Sequence, residues 1–221
     1  MAKAFLVDTT RCTACRGCQM ACKDWHGLPA NMTKQTGTHQ NPPDMNINNY
    51  KIVRFFEHLS EDNRVIWNFF PDQCRHCEMP PCVDAANDVL EGSMYKDEET
   101  GAILVNQELF SQISEEDGEG ISYSCPYSVP HYDAAKKTIA KCNMCIDRVE
   151  AGMPPACVRV CPTGAMQFGE REDIIEYAEK RLEVVLKEHP KAFLADIDDV
   201  SVIYLLAEEG EFYHEYASMY G

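Results

Sequence analysis

The chain has 221 residues, 45% of them hydrophobic, and a formal net charge of −16. That length supports one large or two small domains with cores of their own, and the acidity excludes nucleic-acid binding through a basic surface. No apolar run approaches the roughly eighteen residues of a membrane span; Val202 to Ala207 is the strongest and is too short.

Met1 to Asp8 carries one lysine and a brief apolar stretch, which does not read as a secretory signal. Within it, Lys3 to Val7 predicts a strand. Cys12, Cys15, Cys18 and Cys22 follow at C-x2-C-x2-C-x3-C. Asn31 to Tyr50, rich in Asn, Thr, Gln, Pro and Gly, predicts a long surface loop. Tyr50 to Phe56 and Val65 to Phe70 are aromatic and β-branched and predict a hairpin leading into Cys74, Cys77 and Cys82. Tyr95 and Lys96, then Ala102 to Val105, predict a second hairpin. Ser114 to Gly120, S-E-E-D-G-E-G, reads as an acidic flexible loop, too short for a calcium-binding EF-hand. Cys125 stands before Pro126, and Cys142, Cys145, Cys157 and Cys161, followed by Pro162, form C-x2-C-x11-C-x3-C-P. Glu170 to His189 carries Ile174, Ile175, Ala178, Leu182, Val185 and Leu186 at helical spacing, ended by Pro190. Val200 to Leu206 is a further strand candidate, and the aromatic tail from Phe212 to Tyr220 is expected to lie on a neighbour's surface.

The first run resembles that of bacterial ferredoxins, in which three cysteines hold one 4Fe-4S cluster and the fourth reaches across to another. Crosswise ligation then assigns Cys12, Cys15, Cys18 and Cys161 to one cluster, and Cys22, Cys142, Cys145 and Cys157 to a second. The middle run lacks its fourth cysteine, the position being Ala86. Cys125 has the setting of a last ligand whose own run is replaced by Glu115, Gly118 and Ile121. Joining Cys74, Cys77 and Cys82 to Cys125 completes a third cluster, and every absent ligand belongs to one missing site. The expected fold is α+β, built of two ferredoxin-like modules with a C-terminal helix and extension. Residues 1–49 and 134–180 form a split module with two clusters, 50–133 an inserted module with one, and 181–221 the extension. Ferredoxin modules bracket their clusters with strands, so Gly164 to Gly169 is the expected antiparallel mate of Lys3 to Val7.

Structural zinc is the chief competitor, but zinc sites close with separate C-x2-C or Cys/His pairs, not with three thiols at C-x2-C-x2-C. Disulfides are disfavoured between cysteines three apart in a chain large enough to fold without them, and a thioredoxin-type dithiol needs one C-x2-C near a βαβ pattern. His26, His39, His58, His76 and His131 lack metal-ligand spacing and read as loop or packing residues. Trp25, Tyr127 and Tyr132 are expected to shield clusters from water. Lys23 and Arg75 flank ligands, either to raise cluster potentials or simply as solvated side chains.

Cys12 to Trp25 (C-T-A-C-R-G-C-Q-M-A-C-K-D-W), Glu78-Met79-Pro80-Pro81-Cys82, Cys125-Pro126-Tyr127, Lys141 to Arg148 and Pro155 to Ala165 closely resemble the iron-sulfur (beta) subunits of molybdopterin oxidoreductases. Gly27-Leu28-Pro29-Ala30, Thr36-Gly37 and Gln40 to Asp44 are similar to the formate dehydrogenase branch. Members usually hold four clusters; three, with no membrane helix, resembles the soluble tungsten or molybdenum formate dehydrogenases of sulfate-reducing bacteria. The resemblance implies a larger catalytic subunit bearing the metal-pterin centre. This chain would hold three 4Fe-4S clusters and no catalytic residue, and pass electrons to an acceptor such as a soluble, basic c-type cytochrome. It also implies periplasmic export alongside the catalytic subunit, the alternative being a cytoplasmic location. The missing cluster is expected to be the exit station of membrane-bound relatives, leaving the third cluster nearest the outer surface and Ser114 to Gly120 beside the docking site. The competing readings are a beta subunit of a polysulfide, thiosulfate, dimethyl sulfoxide or arsenate reductase, and a free polyferredoxin.

Overall fold

The computed structural model describes residues 2–219. In chain order the elements are β1 (Lys3–Asp8), α1 (Gly17–Trp25), β2 (Ile52–Leu59), β3 (Val65–Asp72), α2 (Pro81–Val89), β4 (Met94–Lys96) and β5 (Ile103–Val105). There follow α3 (Gln107–Phe110), α4 (Glu115–Tyr123), β6 (His131–Asp133), β7 (Thr138–Ala140), α5 (Ile146–Glu150) and α6 (Ala156–Arg159). The chain closes with β8 (Met166–Glu170), α7 (Arg171–Val185), β9 (Phe193–Ala195) and β10 (Val202–Leu206).

A four-stranded sheet in the order β8-β1-β10-β9 forms the base. β1 and β8 are antiparallel, Lys3 opposite Glu170 and Val7 opposite Met166, as the sequence predicts. The partner on the other side is unexpected: β10 runs parallel to β1, Phe5 opposite Val202 and Asp8 opposite Leu205. Residues of a strand alternate between faces, and both faces here are covered. Ala4, Leu6, Ile203 and Leu205 pack with Ile174, Ala178 and Val185 of α7. Phe5, Val7, Val202, Tyr204 and Leu206 pack with Val53, Phe70, Cys18 and Cys157. Burial on both sides is why Val202 to Leu206 reads as a continuous apolar run with no polar alternation.

The β2–β3 hairpin extends further than its aromatic stretches predict, with Ile52 opposite Asp72 and Leu59 opposite Val65. The second hairpin, β4–β5, forms as expected. A separate core under α2 and α4 joins Ala86, Met94, Ile103, Phe110, Ile121 and Ile139. Among the described residues, no helix is long and apolar enough to cross a membrane.

Two expectations need correction. Ser114 to Gly120 is not a flexible loop but the start of α4. Ser114 accepts from the Asp117 N–H at 3.1 Å and donates to its carboxylate at 2.6 Å. Glu115, Glu116 and Asp117 occupy the first turn, where the helix dipole favours acids. Gly118 is buried because the Tyr132 ring lies against it: a Cβ there would stand 2.5 Å from two ring carbons. The aromatic tail also packs on this chain itself. Phe212 stacks on His58 with centroids 4.3 Å apart, the Tyr213 hydroxyl accepts from the Ala207 N–H at 3.0 Å, and the Tyr216 carbonyl accepts from Arg75 at 3.1 Å. Tyr220 lies outside the described residues.

Candidate metal centre

Each of the three cysteine runs begins with the same backbone turn. The residue before the second cysteine takes a left-handed φ in all three: Ala14 at 52°, His76 at 49° and Met144 at 62°. Non-glycine residues in this region cost about 1–3 kcal/mol each and persist where surrounding structure imposes them, so the shared strain marks a shared task. The third cysteine of each run then enters a helix, Cys18 in α1, Cys82 in α2 and Cys157 in α6. Cys22 follows Cys18 by one turn of α1, and Ala86 holds the equivalent place on α2. Ala86 is fully buried in the apolar core that also takes Ile121. Hydrocarbon packing therefore fills the places of both Ala86 and Ile121.

The thiols gather from both ends of the chain. Cys12, Cys15, Cys18 and Cys161 line one small cavity together with the buried Val53 and Pro71. Burial, opposed by the Ala14 N–H and reinforced by Cys18 and Cys161, pushes the Cys12 thiol up to about 11. Cys22, Cys142, Cys145 and Cys157 are all buried; burial and then Cys157 and Cys145 raise the Cys22 thiol. The Cys77 thiol is raised by burial and then by Cys74, Cys125 and Cys82, which brings Cys125 to the middle run. Electrostatic influence also crosses between sets: Cys18 raises Cys157, and Cys74 raises Cys142, in both cases after burial. Cys161 is lowered instead, because N–H groups of Met166, Ala165 and Thr163 and the Thr163 hydroxyl outweigh its burial.

The donor set fits an iron-sulfur cluster. Buried thiols held up by burial and mutual repulsion need a cationic core to become thiolates. Among the described residues, no three Cys, His, Asp or Glu side chains converge on a point that would hold a single ion, whereas thiols spaced around a cavity suit a polynuclear core.

Three side chains around these sites escape a reading of motifs. His26 places Nε2 3.7 Å from the Cys145 sulfur, four residues after Cys22 on the same helical run. Lys141 directly precedes Cys142, is buried, and donates to the carbonyls of Ile103 and, at 3.0 Å, Cys142. Lys51 is buried and donates to the Pro71 carbonyl at 3.2 Å and to Gln73; no local pattern marks it. His76 is a packing residue as expected, its Nδ1 accepting from the Ile103 N–H at 3.0 Å.

Among the flanking residues, Lys23 spans the loop, donating to the carbonyls of Pro29 and Asn48 at 2.6 and 2.7 Å. Arg75 is fully buried rather than solvated. It pairs with Asp72 at 2.7 Å, which Arg54 also binds at 2.6 Å, and lies over the rings of Tyr204 and Tyr127. Trp25 is half-exposed and donates to Asp147 at 3.0 Å, while the buried Tyr127 donates to Asp196 at 2.8 Å.

Strained C-x2-C turns, helix-borne third ligands and a four-thiol cavity define a ferredoxin-type iron-sulfur protein of mixed α and β structure, and residues 65–171 match the family of 4Fe-4S dicluster domains. Formate dehydrogenase 2 subunit beta (cytochrome c-553) of Nitratidesulfovibrio vulgaris is 59% identical over 98% of this chain and 99% of its own length. The formate dehydrogenase subunit beta of Megalodesulfovibrio gigas is 50% identical over the same shares. The nitrate-inducible formate dehydrogenase iron-sulfur subunit of Escherichia coli is 30% identical over 96% of this chain and 71% of its own length. The chain belongs to the iron-sulfur (beta) subunits of formate dehydrogenases, which transfer electrons.

Proposed function

We propose that the twelve cysteines hold three 4Fe-4S clusters in crosswise ligation. Cys12, Cys15, Cys18 and Cys161 hold the first, Cys22, Cys142, Cys145 and Cys157 the second, and Cys74, Cys77, Cys82 and Cys125 the third. The observation that carries this reading is the single cavity ringed by Cys12, Cys15, Cys18 and Cys161, residues separated by most of the chain. Such clusters supply one-electron redox chemistry; the protein contributes the apolar walls, the sulfur contacts of His26 and Thr163, and buried cations. The placing of Cys157 with Cys18 in one buried cluster, and of Cys142 with Cys74 in another, supports a second site lying between the other two.

The modules follow the same division. Residues 1–49 and 134–180 form the split two-cluster module, supported by the β1–β8 pairing, and residues 50–133 the inserted one. The 181–221 extension lends β10 to the split module's sheet.

The chain serves a larger catalytic subunit that carries a tungsten- or molybdenum-pterin centre, and passes electrons between it and a soluble, basic c-type cytochrome in the periplasm. The name of the Nitratidesulfovibrio vulgaris relative, which includes cytochrome c-553, supports the acceptor class. The net charge of −16 favours encounter with a cationic carrier, and the acidic first turn of α4, close before Cys125, is the place proposed for docking.

Iron analysis of the anaerobically purified protein should give about twelve atoms per chain. Cys125→Ala should abolish the same spectroscopic signal as Cys74→Ala. An intact set of signals in Cys125→Ala, or stoichiometric zinc, overturns the ligand assignment.

A further inference from the structure

The buried cations around the thiols fall into two kinds. Arg54 and Arg75 share the carboxylate of Asp72 at 2.6 and 2.7 Å. Lys51 has only neutral hydrogen-bond acceptors, the Pro71 carbonyl and the Gln73 side chain, and makes no ion pair with Asp or Glu among the described residues. A buried charge without a counter-ion is costly, so the negative charge that balances Lys51 has to come from another source.

Its surroundings supply one. Lys51 immediately precedes β2, whose Val53 walls the first cavity together with Pro71, the residue that accepts from the ammonium. The Val53 N–H donates at 3.1 Å to Gln19, which lies on α1 between Cys18 of the first set and Cys22 of the second. The thiols acting most strongly on the ammonium are likewise Cys18 and Cys157, one from each set. The cations acting on the third set are different ones, Arg75 on Cys77 and Cys125, and Lys141, itself bonded to the Cys142 carbonyl, on Cys82.

We propose that Lys51 is the shared buried counter-ion of the first and second clusters, a positioning residue that raises the potential of both and leaves the third unaffected. The physical basis is that each cluster with four thiolates is net negative, and accepting an electron adds to that charge. A fixed cation between two such sites favours the reduced form of each, and shifts both potentials upward together.

The proposal rests on the crosswise ligand reading and is tested in the assembled complex by redox titration followed by electron paramagnetic resonance, the signals being assigned with cysteine-to-alanine variants. Lys51→Met and Lys51→Gln should lower the potentials of the first and second clusters. At a fixed ambient potential near their midpoints, the reduced-to-oxidised ratio should fall about tenfold for each, or about 59 mV for a one-electron couple. The third cluster should not move, and Lys51→Arg should behave as the parent protein does. If the neutral variants lose the first two clusters while keeping the third, and Lys51→Arg retains all three, the same counter-ion role is expressed in assembly. Unmoved potentials, an equal shift in all three clusters, a shift confined to one of the pair, or a defect that Lys51→Arg does not repair would overturn it. A parent protein lacking one of the three signals refutes the ligand reading, whereas parent signals that ignore neutralisation of Lys51 refute this inference alone.

Discussion

Replacing Gly118 by alanine sets two effects of opposite sign against each other on α4. Helix propensity favours the change by about 0.5–1 kcal/mol, because glycine loses more backbone freedom on folding. Packing opposes it: the new Cβ would lie 2.5 Å from two carbons of the Tyr132 ring, and overpacking of this kind costs about 1–3 kcal/mol. The ring packs against the core formed by Ala86, Phe110, Ile121 and Ile139, which limits its retreat, so packing should win by about 1 kcal/mol. For a chain of this size that lowers the unfolding midpoint by roughly 2–4 °C. Circular dichroism of the anaerobic protein measures the shift. Tyr132→Leu, combined with Gly118→Ala, should remove the clash and restore the helix gain, giving a non-additive pair. A midpoint that rises in Gly118→Ala alone would show that propensity governs this helix and that the contact with Tyr132 is not a constraint.

His76 has a pKa well below its ordinary 6.5, first because of burial and then because of Lys141 and Lys96. The unfolded chain therefore binds a proton below about pH 6.5 that the folded chain refuses, so stability held above that pH falls as the solution is acidified. His76→Gln should flatten this part of the stability profile; an unchanged acid slope between about pH 6.5 and 5 would remove His76 as its source. Reduction of a basic c-type cytochrome by the complex should slow as ionic strength rises, since the Debye length shrinks from about 10 Å at 0.1 M to 3 Å at 1 M. Neutralising Glu115, Glu116 and Asp117 together should weaken that salt dependence, and a rate indifferent to salt would exclude electrostatic docking at α4.

Legibility in the sequence followed the range of the interaction. The C-x2-C turns are local, so spacing alone locates Cys12, Cys74 and Cys142 at the start of equivalent loops, and apolar periodicity likewise locates α7. The start of α4 carried a readable sign in Ser114 and Asp117, three apart as in a capping box. The two glycines obscured it, because a glycine needed for close approach looks the same as one that breaks a helix. The continuous apolar run of Val202 to Leu206 signals burial on both faces, but nothing local names its partner strand. A strand that pairs in parallel with residues nearly two hundred positions away is specified only by the complementarity of the assembled core. Lys51 was hidden for the same reason: its proposed role comes from β3, α1 and α6, which meet around it.

The β1–β10 pairing also orders the making of this protein. As the chain leaves the ribosome, β1 and the thiols of Cys12 to Cys22 emerge first, but the strand that buries one edge of β1 is synthesised near the end. Cys161, which completes the first cavity, is also late. Contacts of such long sequence separation form slowly and leave apolar edges exposed meanwhile. Phe5, Val7 and the thiols of the first run therefore wait through most of translation for Val202, Tyr204, Leu206 and Cys161. For the cluster proposed at the first site, delivery of iron and sulfide is expected after synthesis of Leu206, and a nascent chain stalled before β9 should be recovered bound to chaperones and free of iron.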